Sequence, residues 1–203
     1  RWPDEFIVDN LYLDINNLFD GRVSLRIGRQ DLIYGAGRVI LEGTSGDGAR
    51  TLYFDAIKAS IKVCDDTTVD VFGIYNDDEN HLAIGNVDRD LTRYTGGFND
   101  MKEIGAGIYV KNKTYADCPV EAYYIWKRES SFMANNDTIA IPKRDVHTIG
   151  TRLLPKFSDR LSGELEVAGQ FGETADDQDI LAMMAYAGLT WKLEAIGKNR
   201  PYV

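Results

Sequence analysis

Leu161-Ser162-Gly163-Glu164-Leu165-Glu166-Val167-Ala168-Gly169-Gln170-Phe171-Gly172 is a stretch with two unlike faces. Leu161, Leu165, Val167 and Phe171 fall on one side of an extended chain, and Ser162, Glu164, Glu166 and Gln170 on the other, because successive strand side chains point in opposite directions. Alternation with period two marks a strand whose faces meet different solvents, one oily and one wet.

The pattern recurs upstream. Over residues 101–111, Ile104, Ala106, Ile108 and Val110 oppose Glu103, Gly105, Gly107, Tyr109 and Lys111. Residues 115–127 set Val120, Ala122, Tyr124 and Trp126 against Glu121, Tyr123 and Lys127. Residues 22–30 set Val23, Leu25 and Ile27 against Ser24, Arg26 and Gln30, and residues 54–63 set Ile57, Ala59, Ile61 and Val63 against Lys58, Ser60 and Lys62. Segments 6–17, 67–76, 146–154 and 180–193 alternate less cleanly, with Tyr, Thr or Gly mixed in. Helical periodicity is nearly absent, and about nine strands are expected.

The connections sort by length. Short ones at 19–21, 64–66, 112–118 and 156–160 take turns with long ones at 31–51, 77–100 and 129–144, and with an intermediate one at 172–179. Up-and-down membrane barrels are built this way, with tight periplasmic turns and long outer loops, whereas a soluble sandwich has no reason to sort its loops. The first strand then descends toward the periplasm, and Cys64 and Cys118 lie near periplasmic turns.

Charge placement agrees in part. Acids gather in the expected outer loops, as in Asp77-Asp78-Glu79 and Asp176-Asp177-Gln178-Asp179. The polar strand faces carry Arg22, Arg26, Lys58, Lys62, Lys111, Lys127, Arg152 and Lys192 among Asp14, Asp70, Glu103, Glu121, Glu164 and Glu166. That density of charge is prohibitive in a dry interior and suits a water-filled lumen. Tyr12, Tyr124, Trp126, Tyr186 and Trp191 are expected to supply interfacial girdles.

Composition narrows the function classes. At 44% hydrophobic and 27% charged the chain lies outside the disordered class, yet it has no apolar run long enough for a membrane helix. Barrel spans escape that test, being about ten alternating residues each. A net charge of -9 with no Lys/Arg cluster argues against nucleic acid as a partner. The whole chain, 1–203, is read as one domain, part of an outer-membrane β-barrel. Arg1-Trp2-Pro3-Asp4 does not look like a natural start and Pro201-Tyr202-Val203 looks like the beginning of another strand, so further strands are expected.

The stretch Leu25-Arg26-Ile27-Gly28-Arg29-Gln30-Asp31-Leu32-Ile33-Tyr34-Gly35, followed by Arg38, Arg50-Thr51 and Phe54-Asp55-Ala56-Ile57-Lys58, resembles the alginate-export family of bacterial outer-membrane porins. That family carries a similar strand ending in Gly-Arg-Gln, a Tyr-Gly loop, and a strand opening Phe-Asp-Gly-Val-Arg. Residues 145–152 and 163–172 look like later strands of the same family. The resemblance implies a Gram-negative outer-membrane barrel of about eighteen strands. It also implies diffusion of an anionic sugar polymer, or a related small acidic solute, past basic side chains. Ala56 and Lys58 stand where the family favours Gly and Arg, and acids nearly match bases on the polar faces, so a general porin of this fold is the expectation.

By parity Arg29 faces lipid, where an Arg at mid-depth costs roughly 2–4 kcal/mol. A bulge at Gly28 would turn it inward and place Arg26, Arg29, Lys58 and Lys62 in one basic ladder able to steer anions. The competing reading is that these residues pair with Asp or Glu and only hold the wall together. The candidate pore-lining set is Arg26, Arg29, Lys58, Lys62, Lys111, Lys127 and Arg152.

Other motifs carry less. Gly35-Ala36-Gly37-Arg38-Val39-Ile40 lacks the third glycine and following helix of a dinucleotide fingerprint, and residues 43–48 lack a P-loop lysine; loop flexibility explains both. His81 and His147 are the only histidines, and His147 alternates with Thr148 on a strand rather than lying beside a placed nucleophile. Asp77, Asp78, Glu79, Asp88 and Asp90 are a weak calcium candidate with no EF-hand spacing. Cys64 and Cys118 either form one bridge or remain two thiols.

The expectation is an all-β, antiparallel up-and-down transmembrane β-barrel, embedded in outer-membrane lipid and passing a small-molecule or oligosaccharide solute by diffusion, without catalysis, metal or cofactor. The alternatives are a soluble antiparallel β-sandwich that binds carbohydrate and a barrel-borne hydrolase.

Overall fold

Segments with period-two alternation expose one polar and one apolar row, and their backbone groups find partners only by pairing edge to edge. A computed structural model describes residues 6–8, 10–40, 53–77, 83–84, 102–134 and 139–193. In chain order the strands are β1 (Phe6–Ile7), β2 (Leu11–Asn17), β3 (Val23–Gln30), β4 (Phe54–Cys64), β5 (Thr67–Asn76), β6 (Ala83–Ile84), β7 (Glu103–Asn112), β8 (Val120–Glu129), β9 (Phe132–Ala134), β10 (Ile139–Ile141), β11 (Arg144–Leu153), β12 (Leu161–Thr174) and β13 (Asp179–Trp191). Nine of them form one sheet in the order β13-β12-β11-β8-β7-β5-β4-β3-β2, each antiparallel to its neighbours. Each strand of this sheet pairs with the next sheet strand along the chain, which is up-and-down topology. Among the described residues β2 and β13 are the edges. Among the described residues these nine strands form a single layer rather than two facing ones, an architecture that fits part of a barrel wall and not a sandwich. No helix among the described residues is long and apolar enough to cross a membrane, which says nothing about crossing by strands.

Two segments differ from the alternation reading. The expected strand at 6–17 divides: β1 pairs with β6, and β2 joins the main sheet. Between them the Val8 carbonyl accepts a hydrogen bond from Arg29 Nη1 at 3.1 Å, a side-chain partner in place of a ladder bond. The long connection 129–144 contains the small hairpin β9–β10, whose three-residue strands are too short to show a period.

The short connections all lie at one edge of the sheet and the long ones at the other, as antiparallel succession requires. Residues Leu18–Gly21 form a tight turn, with Asn17, Phe19, Asp20 and Gly21 at φ of 62, 53, 58 and 79.

Following the register across strands gives the two faces. One face carries the rows Leu13, Ile27, Ile57, Gly73, Ala106, Trp126, His147, Phe171, Leu181 and Ile15, Leu25, Ala59, Val71, Ile108, Tyr124, Ile149, Gly169, Met183. Among the described residues nothing covers its large apolar side chains: Ile108 is 40% exposed and Val167 39%. On β12 the outward positions from Leu161 to Phe171 bear no charge, and eleven residues at about 3.3 Å rise and 35–45° tilt span about 25 Å, the height of a barrel's apolar belt.

A polar border closes this belt at the long-loop edge. Arg29 pairs with Asp55, Arg128 with Asp145, and Glu173 faces Asp179, all on neighbouring strands. Trp126 lies one step inside the border and donates from Nε1 to Asp145 Oδ1 at 2.6 Å, while Trp191 pairs with Leu161 at the opposite edge. Tyr124 and both tryptophans thus take the girdle face, but Tyr12 and Tyr186 do not. They lie on the charged face beneath Arg26 and Arg38, with guanidinium carbons 3.8 and 3.6 Å from the ring centroids.

Candidate pore lining

The other face carries the polar rows Asp14, Arg26, Lys58, Phe72, Gly107, Ile125, Thr148, Gln170 and Lys62, Thr68, Lys111, Glu121, Arg152, Glu166, Tyr186. Large rings are accommodated by glycines on the next strand. A Cβ on Gly107 would stand 2.3 Å from Phe72 Cζ, and one on Gly150 2.4 Å from Tyr123 Cζ.

Most of the expected lining bases sit in ion pairs. Arg26 grips Asp14 with two bonds of 2.7 and 2.8 Å. Lys111 approaches Asp70 at 3.7 Å, and Lys62 meets Asp65 at 2.8 Å beside the short turn. That turn is solvent-facing, and the Lys62 ammonium holds the Asp65 carboxyl below its ordinary range. Lys127 pairs with Glu129 at 2.5 Å and Glu103 at 3.5 Å, and Arg144 also pairs with Glu129. Arg152 bridges Glu121 and Glu164, each at 2.9 Å.

Lys58 differs, because among the described residues it forms no ion pair. It lies directly opposite Arg26 in the register, and Asp70 and Asp14 act on it only at a distance.

Arg29 does not join these residues. Gly28 takes φ 124 but pairs in register with Ala56 and Tyr12, so no bulge turns the strand. A Cβ at Gly28 would stand 2.4 Å from the Leu11 carbonyl oxygen, which is why glycine occupies the site. Arg29 stays on the apolar-belt face, 3% exposed, with two bonds of 2.9 Å to Asp55 and its guanidinium 3.7 Å from the Tyr53 ring. It lies at the long-loop edge of the belt with its charge paired to Asp55.

Sequence reasoning missed the strap formed by residues 31–40. They fold back over the charged face and build the core there, with Ile33 and Ala36 left exposed. Leu32 is 1% exposed and Tyr34 6%, packed with Ile40 against Ala56, Phe72, Tyr109, Tyr123, Ile125 and Ala168. Tyr34 stacks on Tyr109 and Phe72, with centroids 4.5 and 5.2 Å apart. Burial, with Asp70 adding to it, pushes the Tyr34 hydroxyl well above its ordinary pKa. The Gly-x-Gly forms a turn. Gly35 and Gly37 take φ of 61 and 74, Gly37 N donates to Tyr34 O, and a Cβ at Gly35 would lie 3.1 Å from Tyr109 Oη. Arg38 Nη1 then reaches Glu164 at 2.5 Å and Glu166 at 2.6 Å, and these carboxylates raise its already high pKa. The available signal was apolar: Leu32, Ile33, Tyr34, Val39 and Ile40 are costly in a solvated loop.

An all-antiparallel sheet with an uncovered apolar belt and a charged opposite face narrows the comparison to membrane barrels, and residues 4–197 match the alginate export family. The chain belongs to that family. No curated protein and no solved structure matches it. The alginate export family is a transport family of outer-membrane β-barrel channels, not a family of enzymes. The main sheet of this family member has one apolar face and one charged face.

His147 lies on the apolar-belt face, where its Nδ1 is 2.7 Å from Tyr124 Oη and its ring stacks 5.1 Å from Phe171. Cys64 and Cys118 are both free. Of the calcium candidates Asp77 alone is described; Asp78, Glu79, Asp88 and Asp90 lie outside the described residues, as do His81, the segment 43–48 and Pro201-Tyr202-Val203.

Proposed function

We propose that the chain forms wall of an outer-membrane channel that passes small acidic solutes, anionic sugars or oligosaccharides, by diffusion through a charged lumen. Membership of the alginate export family supports the channel and the class of solute. The observation that carries the preference for anions is the Arg26–Lys58 pair. Two cations directly opposite on neighbouring strands repel, at a cost of roughly 0.2–1 kcal/mol; Asp14 is bonded to Arg26, whereas Lys58 forms no ion pair among the described residues, and Asp70 and Asp14 act on it only at a distance. A passing carboxylate relieves that repulsion, so the pair attracts anions without holding them tightly. The remaining lining bases, paired as Arg26 is, stiffen the wall and contribute little net field.

The test is the reversal potential of the full-length protein in planar bilayers under a salt gradient. Wild type is expected to prefer anions, and Lys58→Gln to lower the anion-to-cation ratio by about two-fold or more. A wild-type channel that prefers cations, or a ratio unmoved by Lys58→Gln, contradicts the proposal.

A further inference from the structure

The two sides of the lining differ in sign. Arg26 and Lys58 stand toward β3 and β4, whereas Glu121, Glu164 and Glu166 cluster on β8 and β12. Glu164 and Glu166 share one face of β12 two residues apart, so their like charges are neighbours and repel. Arg152 engages Glu164 and Glu121, while Tyr123 Oη donates to Glu166 at 3.0 Å without neutralising it. The cation that completes the group comes from the strap and not from a strand: a single nitrogen of Arg38 bridges both carboxylates while its guanidinium lies over Tyr186. With Arg38 docked the cluster holds two arginines and three glutamates; without it, one arginine faces the same three.

Arg38 is also held in place. Tyr34 is clamped between Phe72 and Tyr109, and Tyr34 N donates to Ile40 O at 3.3 Å, so the turn that carries Arg38 is anchored at its base.

We propose that Arg38 determines the charge selectivity of the channel by masking Glu164 and Glu166, so that the strap is a working part of the lumen wall. This rests on the reading of the chain as a channel. Removing Arg38 uncovers an acidic stripe that repels anions and admits cations. The effect is electrostatic, so it is cancelled by removing the acids themselves.

The experiment measures anion-to-cation permeability ratios of the full-length protein in planar bilayers, with folding of each variant checked by its heat-modifiable mobility. Arg38→Gln is expected to lower the ratio by about three-fold or more, Arg38→Lys to keep most of it, and Arg38→Gln with Glu164→Gln and Glu166→Gln to restore it. The pair Glu164→Gln and Glu166→Gln with Arg38 intact is expected to raise the ratio above wild type, which keeps the question open to test should Arg38→Gln not fold. An unchanged ratio in Arg38→Gln, a fall that the two Gln substitutions do not reverse, or no rise in the Glu double variant overturns the proposal. These are differences from wild type and decide the role of Arg38 whichever ion wild type prefers. The absolute preference and the Lys58→Gln result bear on the proposed function instead, and failure to form any channel sinks both.

Discussion

Tyr123 lies across Gly150 of the next strand, where a Cβ would stand 2.4 Å from the ring carbon that bears the hydroxyl. A methyl there forces the ring off its rotamer and away from Glu166, which its hydroxyl reaches at 3.0 Å. Gly150→Ala is expected to destabilise the folded barrel by about 1–3 kcal/mol, seen as a lower urea midpoint in lipid vesicles. With Tyr123→Leu already present the same change is expected to cost far less, because the clash has gone. Equal costs in the two backgrounds would show that the ring does not lie as described. At this scale the direction of a side chain was legible and its partner was not. Period two assigns Tyr123 to the charged face, but register decides that it meets Gly150, and register depends on turns and pairing that no single strand records. Arg29 shows both halves: parity placed it on the correct face, and only the alignment with Asp55 shows why that face is tolerable there.

Among the elements, the strap carries the largest difference from the sequence reading. Strands were legible because each repeats its pattern over seven or more residues; β5 spans the 67–76 segment to the residue. The strap has no period, and its apolar residues are scattered about a glycine turn, so nothing local distinguishes a loop in solvent from a loop laid across a wall. The β1–β2 break and the β9–β10 hairpin escaped for the same reason, since two or three residues cannot display alternation. The anchor can be tested apart from the latch. Tyr34→Ala removes the ring packed between Phe72 and Tyr109 and is expected to release the strap from the wall. Single-channel conductance is then expected to rise by about two-fold as the lumen widens. A conductance at or below the wild-type value would mean that residues 31–40 do not occupy the path of ions.

At the scale of the whole molecule, nine strands turn every apolar row to one side and every charged row to the other, with a border of paired charges at the long-loop edge. The inversion relative to a soluble domain is physical: the buried core lies on the charged face beneath the strap, while none of the described residues covers the oiliest face. Hydrocarbon is the solvent that makes such a face favourable, and the belt height of about 25 Å fits a bilayer. Nitroxides placed singly at positions 161–171 of β12 in lipid vesicles test this most directly, through collision with oxygen, which partitions into hydrocarbon, and with a nickel chelate, which stays in water. Labels at Leu165, Val167 and Gly169 are expected to collide with oxygen, and those at Ser162 and Gln170 to favour the chelate. Labels at Leu165 and Val167 that meet neither agent, or no alternation along the strand, would contradict the account.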